Sequence, residues 1–312
     1  MANEQAQTQT HGSGGGVQTT GHVWDGTLQE FNNPLPVWWT YGFYITILFA
    51  LVYWFFYPSW PVGTSFLKGV NTVTYVNQDG QEESWHWNTR AKLLGEVQAA
   101  KAEQKPWFDK IASLPYDKIA TDPELNSFIQ SAGKALFADN CAACHQTGGA
   151  GKIGHYPNLA DDNWIYGGTF DKIRETILGG RHGYMPPYAE ALDKGQVDTL
   201  ANYVLSLSGE PHDASKAAEG KSLFHSHAAA CYYCHGDNAQ GRTDIGSANL
   251  TDKVWVWADV PGGQDANAKL AAVRNLINAG LNRGVMPAWE GRLSEEQVKV
   301  LTVYVHELGG GK

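Results

Sequence analysis

Two short runs, Cys141-Ala-Ala-Cys144-His145 and Cys231-Tyr-Tyr-Cys234-His235, hold all four cysteines of the 312-residue chain. Three chemistries use a Cys-x-x-Cys pair: a structural zinc site, a redox disulfide and the covalent attachment of haem. Zinc would pool the two pairs, yet each pair lies in its own copy of a repeated segment. A thioredoxin-like pair needs a strand before it and an alternating βα pattern, which is absent. Neither accounts for the histidine that follows each pair. The c-type haem signature does. One thiol adds to each of the two vinyl groups, the two intervening residues space the sulfurs, and the adjacent His falls beneath the iron as proximal ligand. Two covalently bound haem c groups are therefore expected.

The sixth position decides between carriage and catalysis. Apart from the initiator, Met185 and Met286 are the only methionines, 40 residues after His145 and 51 after His235, each between a Gly-rich turn and a proline. Methionine used as core filler would be scattered. A thioether opposite a histidine is the ligand set of electron-transfer cytochromes, raises the reduction potential, and leaves no seat for oxygen or peroxide. His155, His182, His225 and His227 compete for the same position. The spacing fits a Met that serves the haem of its own repeat and equally one that reaches the neighbour's. The other ring nitrogen of each proximal His should donate to a backbone carbonyl, with Pro157-Asn158 and Ala248-Asn249 as candidate loops.

The elements that must position these residues come in two copies. GKALFADNCAACH from Gly133 aligns with GKSLFHSHAAACYYCH from Gly220, NLADDNWIYGG from Asn158 with NLTDKVWVWAD from Asn249, and GYMPPYAEAL with GVMPAWEGRL. A period of roughly 80 to 90 residues suits a small domain and is too long for a solenoid. Asp193 with Gln196 and Ser294 with Gln297 form capping-box pairs, followed by Val197, Leu200, Val204 and Leu207 or Val298, Leu301, Val305 and Leu308 at helical spacing. Gly209 and Gly309 end these helices. The chain reads as all-α, with cytochrome domains over residues 123–209 and 210–312.

From Phe31 to Lys68 no Asp, Glu, Lys or Arg occurs, and residues 37–57 are almost wholly apolar. As a helix they span about 32 Å, matching a hydrocarbon core of about 30 Å. Trp38, Trp39 and Tyr41 crowd one end and Tyr53, Trp54, Tyr57 and Trp60 the other, at headgroup level. Residues 37–59 are thus read as an uncleaved anchor stopped by Pro58 and Pro61, with residues 1–36 as a short tail whose polar start, 1–16, is read as disordered. Positive-inside counting puts the C-terminal bulk in the cytoplasm, since Lys68, Arg90 and Lys92 follow the span. Attachment of c-type haem outside the cytoplasmic membrane overrules so faint a vote and places the haem domains in the periplasm of the bacterial inner membrane. Residues 60–122 form a linker with a hairpin signal at Asp79-Gly80 and a helix from Thr89 ended by Pro106.

Formal charge is −9, spread evenly, and no polybasic face argues for nucleic acid. Residues 129–209 and 220–309 each resemble a class I cytochrome c domain, with Gly133 and Phe137 against Leu200 and Tyr203, and Gly220 and Phe224 against Leu301 and Tyr304, matching the family's crossing of first and last helices. The front, GHVWDGTLQEFNNPLPVWW from Gly21, resembles the dihaem subunit III of cbb3-type cytochrome c oxidases. That resemblance covers nearly the whole chain. It implies a noncatalytic subunit that takes electrons from a donor cytochrome c and passes them, through a monohaem subunit, to a copper-haem catalytic subunit that reduces oxygen and pumps protons. It implies Cys141, Cys144, His145, Cys231, Cys234 and His235 at the haems and Met185 and Met286 as axial ligands. A free-standing dihaem carrier and a dihaem peroxidase are the other readings of the same motifs.

Overall fold

The computed structural model describes residues 18–282 and 284–309 of the chain, and the polar segment 1–16 lies outside them. Two compact units divide between Ala102 and Glu103. In the first, β1 (Thr19–Trp24) and β2 (Leu28–Phe31) form an antiparallel hairpin turned by Asp25 and Gly26, both at positive φ. Asp-Gly tolerates that conformation. The apolar helix α1 (Val37–Phe56) follows, with no buried residue and a mean hydropathy of 1.5 over its best window. Its last carbonyls do not stay orphaned: those of Phe55 and Phe56 accept from the amides of Val70 and Asn71 at 3.2 and 3.0 Å. The returning chain holds β3 (Pro61–Val62) and β4 (Ser65–Phe66), and next come β5 (Thr72–Val76) and β6 (Glu82–His86), a hairpin that turns at the expected Asp79-Gly80.

Helix α2 (Thr89–Ser113) does not end at Pro106 as expected but runs through it. A helix-interior proline withholds the amide that would bond the carbonyl of Ala102, at a cost of about 3 kcal/mol. The turns beyond it offset this with packing. Ile111 is fully buried, Trp107 and Phe108 lie on the ring of Phe128 at 5.5 and 5.4 Å, and the Lys299 ammonium caps the carbonyls of Ala112, at 3.0 Å, and Leu114.

The second unit is helical: α3 (Tyr116–Thr121), α4 (Pro123–Asn140), α5 (Ala142–His145), α6 (Phe170–Gly179), the two-residue strand β7 (Arg181–His182), α7 (Lys194–Leu207), α8 (Ala214–Phe224), α9 (Cys231–His235), α10 (Ala266–Ala279), the strand β8 (Val285–Met286) and α11 (Glu295–Leu308). Both expected capping boxes are present, with Asp193 and Ser294 accepting from the amides of Gln196 and Gln297 at 2.9 and 3.3 Å while those side chains bond back. Among the described residues two cores form. One gathers Ile129 and Phe137 of α4, Ile173 and Ile177 of α6 and Val298, Leu301 and Tyr304 of α11. The other gathers Leu200 and Val204 of α7, Phe224 of α8 and Val273 and Ile277 of α10.

The helix crossings correct the pairing that the cytochrome c resemblance implied. The first helix of one repeat crosses the last helix of the other: α4 packs on α11, and α8 on α7. A Cβ at Gly133 would strike the Tyr304 side chain, and one at Gly220 would strike the Thr199 carbonyl and Tyr203, so only glycine allows either crossing. Each core therefore draws on both repeats. The two segments have nearly the same surface pattern, so the helices of one fit the partners of the other.

Candidate haem-binding cleft

Between the cores runs a cleft walled by apolar side chains, and both Cys-x-x-Cys-His runs open onto it. At the first, α4 delivers Cys141 as its C-cap and the one-turn helix α5 carries Cys144 and His145. At the second, Ala230 at φ 51 turns the chain into α9, which carries Cys231, Cys234 and His235. Burial holds the Cys141 and Cys231 thiols up at about 11, so both are neutral thiols at physiological pH.

The histidines that follow the two cysteine pairs are oriented alike. His145 Nδ1 lies 3.2 Å from the carbonyl of Pro157, and His235 Nδ1 lies 2.8 Å from that of Ala248. Each carbonyl fixes the proton on Nδ1 and leaves Nε2 bare towards the cleft. Burial lowers both imidazole pKa values, which keeps the rings neutral and able to ligate.

The two methionine loops cross. Arg181 and His182 of β7 pair antiparallel with Met286 and Val285 of β8, and Met185 exchanges both backbone hydrogen bonds with Leu281 at 2.8 Å. Gly180 and Gly280 sit at positive φ, and a Cβ on either would meet the carbonyl of the opposite Met. After the crossing, Met185 packs against the core that holds Phe224, as Cys231, Tyr232 and Trp255 also do, and Tyr188 donates to the carbonyl of Ala229 at 2.9 Å. Met286 packs against the core that holds Phe137, as Cys141, Ala142 and Trp164 also do. Each methionine thus joins the core against which the other repeat's first cysteine packs.

Of the competing histidines, His155 lines the cleft rim and bonds the carbonyl of Ile153. His182 faces Asn282 at 3.2 Å, and His225 is held by the carbonyls of Lys221 and Asp237. His227 is exposed.

The N-terminal domain of cytochrome oxidase-cbb3, FixP, matches residues 16–64, and cytochrome c oxidase, cbb3-type, subunit III, matches residues 130–204 and 215–305. The chain is 41% identical over 307 residues to the cbb3-type cytochrome c oxidase subunit FixP of Azorhizobium caulinodans, covering 96% of this chain and 95% of that one. It is 39% identical over 318 residues to the subunit CcoP of an Azospirillum strain, covering 95% and 97%. The chain belongs to the subunit III family of cbb3-type cytochrome c oxidases.

Cytochrome domains of this family imply haem c, and the cleft fits it. Trp164 and Trp255 hold equivalent places in the two repeats, and their Nε1 atoms are the buried side-chain nitrogens without a partner among the described residues. A buried unpaired donor is costly. Both indoles line the cleft, where the carboxylates of a porphyrin would supply the missing acceptors. No sequence pattern announces this pairing of donors, although the matched spacing of both tryptophans from Asn158 and Asn249 could have raised it.

Proposed function

We propose that the chain is the noncatalytic, membrane-anchored dihaem subunit of a cbb3-type oxidase. In this reading Cys141, Cys144 and His145 hold one haem c and Cys231, Cys234 and His235 a second. Met286 completes the first site and Met185 the second. Haem, when bound, supplies a one-electron couple. The residues' part is to keep that couple in place: cysteines tether, the Pro157 and Ala248 carbonyls orient the imidazoles, and the crossed loops bring a thioether to the far side while the apolar cores exclude water. Held by His145 with Met286 and by His235 with Met185, the haems would offer oxygen no seat and would supply only charge relay. Its partners are then a donor cytochrome c on one side and, on the other, the monohaem and copper-haem subunits.

The observation that carries this reading is the placement of each Met beside a cysteine-histidine run in one cleft. Helix α1 supports membrane anchoring, and attachment of c-type haem outside the cytoplasmic membrane supports a periplasmic location for residues 60–312. The sequence repeats 123–209 and 210–312 are the haem-carrying segments. Purification from membranes tests all of this together. The mature polypeptide should carry the added mass of two porphyrins, travel with a copper-haem subunit, and leave its own reduced c-type bands unchanged under carbon monoxide. A single porphyrin, or stoichiometric carbon monoxide at a c-type haem, would rule the relay out.

A further inference from the structure

The two repeats line the cleft with largely matching residues, and one place where the match breaks carries a charge. Aligned on α6 and α10, Ile173 matches Val273, Ile177 matches Ile277, and Arg181 matches Leu281. The first corner is polar. Arg181 Nε donates to Thr176 Oγ1 and Nη2 to Glu175 Oε1, both at 2.9 Å, and the guanidinium lies 4.7 Å from the centroid of the Tyr166 ring. At the second corner the equivalents of Thr176, Glu175 and Tyr166 are Leu276, Asn275 and Trp257, and Leu281 is 8% exposed. Of the described residues that line the cleft, Arg181 alone carries a permanent charge. It sits opposite Met286 in the β7–β8 ladder, at the site of Cys141 and Cys144.

We infer that Arg181 is the residue that sets the two haem sites apart, raising the reduction potential of the site hooked by Cys141 and Cys144 relative to what its twin geometry would give. The inference rests on the haem assignment proposed above. Its physical basis is simple. Oxidation adds one positive charge to the iron, and a guanidinium fixed in the cleft wall repels it. Arg181 is 22% exposed while its carboxylate partner Glu175 is 52% exposed and shared with Lys172 at 2.8 Å. Water therefore screens the negative charge more than the positive one, and the net field at the cleft stays positive. Arginine keeps this charge across the whole accessible pH range.

Spectrally monitored reductive titration of the purified full-length subunit tests it, with Met286→His and Met185→His used to assign one step to each site. Arg181→Leu should move the Met286-assigned step to lower potential, cutting its reduced-to-oxidised ratio at fixed poise by roughly tenfold, the order of one unit charge acting through partly buried protein. The Met185-assigned step should stay in place, and Arg181→Lys should move the first step far less. Should Arg181→Leu fail to fold, Glu175→Gln decides alone, since removing the exposed counter-charge should move the same step upward. An unmoved Met286-assigned step, an equal shift of both steps, or a downward shift in Glu175→Gln would overturn the inference. Mass analysis of the same samples separates this failure from failure of the haem assignment, because only the latter changes the number of porphyrins.

Discussion

At the residue scale the crossed methionines make a statement about coupling. Trp164 shares a core with Met286, and Trp255 with Met185. Replacing either Met by His should keep the haems attached and lower one potential, since a thioether ligand is lost. Adding Trp164→Phe, which removes the unpaired indole donor, should then couple with Met286→His and simply add to Met185→His. Residues in one network deviate from additivity where distant ones do not. Potentials of the three single and two paired variants measure this directly. Coupling of Trp164 with Met185 instead would mean that each Met stays in its own repeat. A second residue, Asp198 of α7, is 15% exposed and ion-paired to Lys216 of α8 at 2.6 Å and Arg274 of α10 at 3.0 Å. Lys216 foremost, then Arg274, hold its carboxyl below the usual range. A carboxylate with a lowered native pKa stabilises the fold above the unfolded value near 4 and loses that contribution as pH falls through the native one. Asp198→Asn should therefore cost on the order of 1 kcal/mol at neutral pH, with the gap to the parent closing as urea melts are taken below about pH 4. A gap independent of pH would show that the pairs contribute nothing.

At the scale of the element, the decisive contacts are the two glycine crossings. Gly133→Ala and Gly220→Ala push a methyl into Tyr304 and into the Thr199 carbonyl, and each should destabilise by about 1–3 kcal/mol. Gly179→Ala, at the end of α6 with open space around it, should be neutral or gain up to about 1 kcal/mol. Thermal melts of the three variants give the comparison. These same glycines mark the limit of what the sequence discloses. The capping boxes at Asp193 and Ser294, the histidines after the cysteine pairs and the carbonyls that orient them are local, so residue spacing suffices to place them. The crossing is not local. Gly133 with Phe137 matches Leu200 with Tyr203 as well as Leu301 with Tyr304, and a duplicated surface offers two solutions of equal pattern. Pro106 misleads for a related reason, because the packing of Ile111 and Phe108 that carries α2 past it lies on a helix nearer the middle of the chain. The Asp25-Gly26 hairpin, by contrast, rests on local turn chemistry alone.

The whole second unit follows from that exchange: on the proposed assignment, neither repeat closes its own haem site. Residues 123–209 carry Cys141 and Cys144, the proposed hooks, but draw Met286 and, for the wall, Leu301 and Val305 of α11 from the other repeat. Residues 210–312 carry Cys231 and Cys234 but need Met185, Leu200 and Val204. A chain ending at Gly209 should consequently be made with haem attached, because covalent attachment needs only the local cysteine run, yet with an incomplete ligand set. Without the thioether, the reduced iron opposite His145 has a free position, and carbon monoxide should bind it stoichiometrically while leaving the full-length subunit untouched. The truncated chain should also unfold at lower denaturant with a shallower slope, since it lacks the α11 face that buries Phe137 and Ile129. Restoring residues 210–312 as a separate polypeptide in the same cell should suppress carbon monoxide binding, because α7 and α8 still present the complementary faces that the intact chain uses. If the truncated chain instead keeps a histidine–methionine spectrum and refuses carbon monoxide, Met185 has turned inward to its own repeat, and the crossed architecture does not govern ligation.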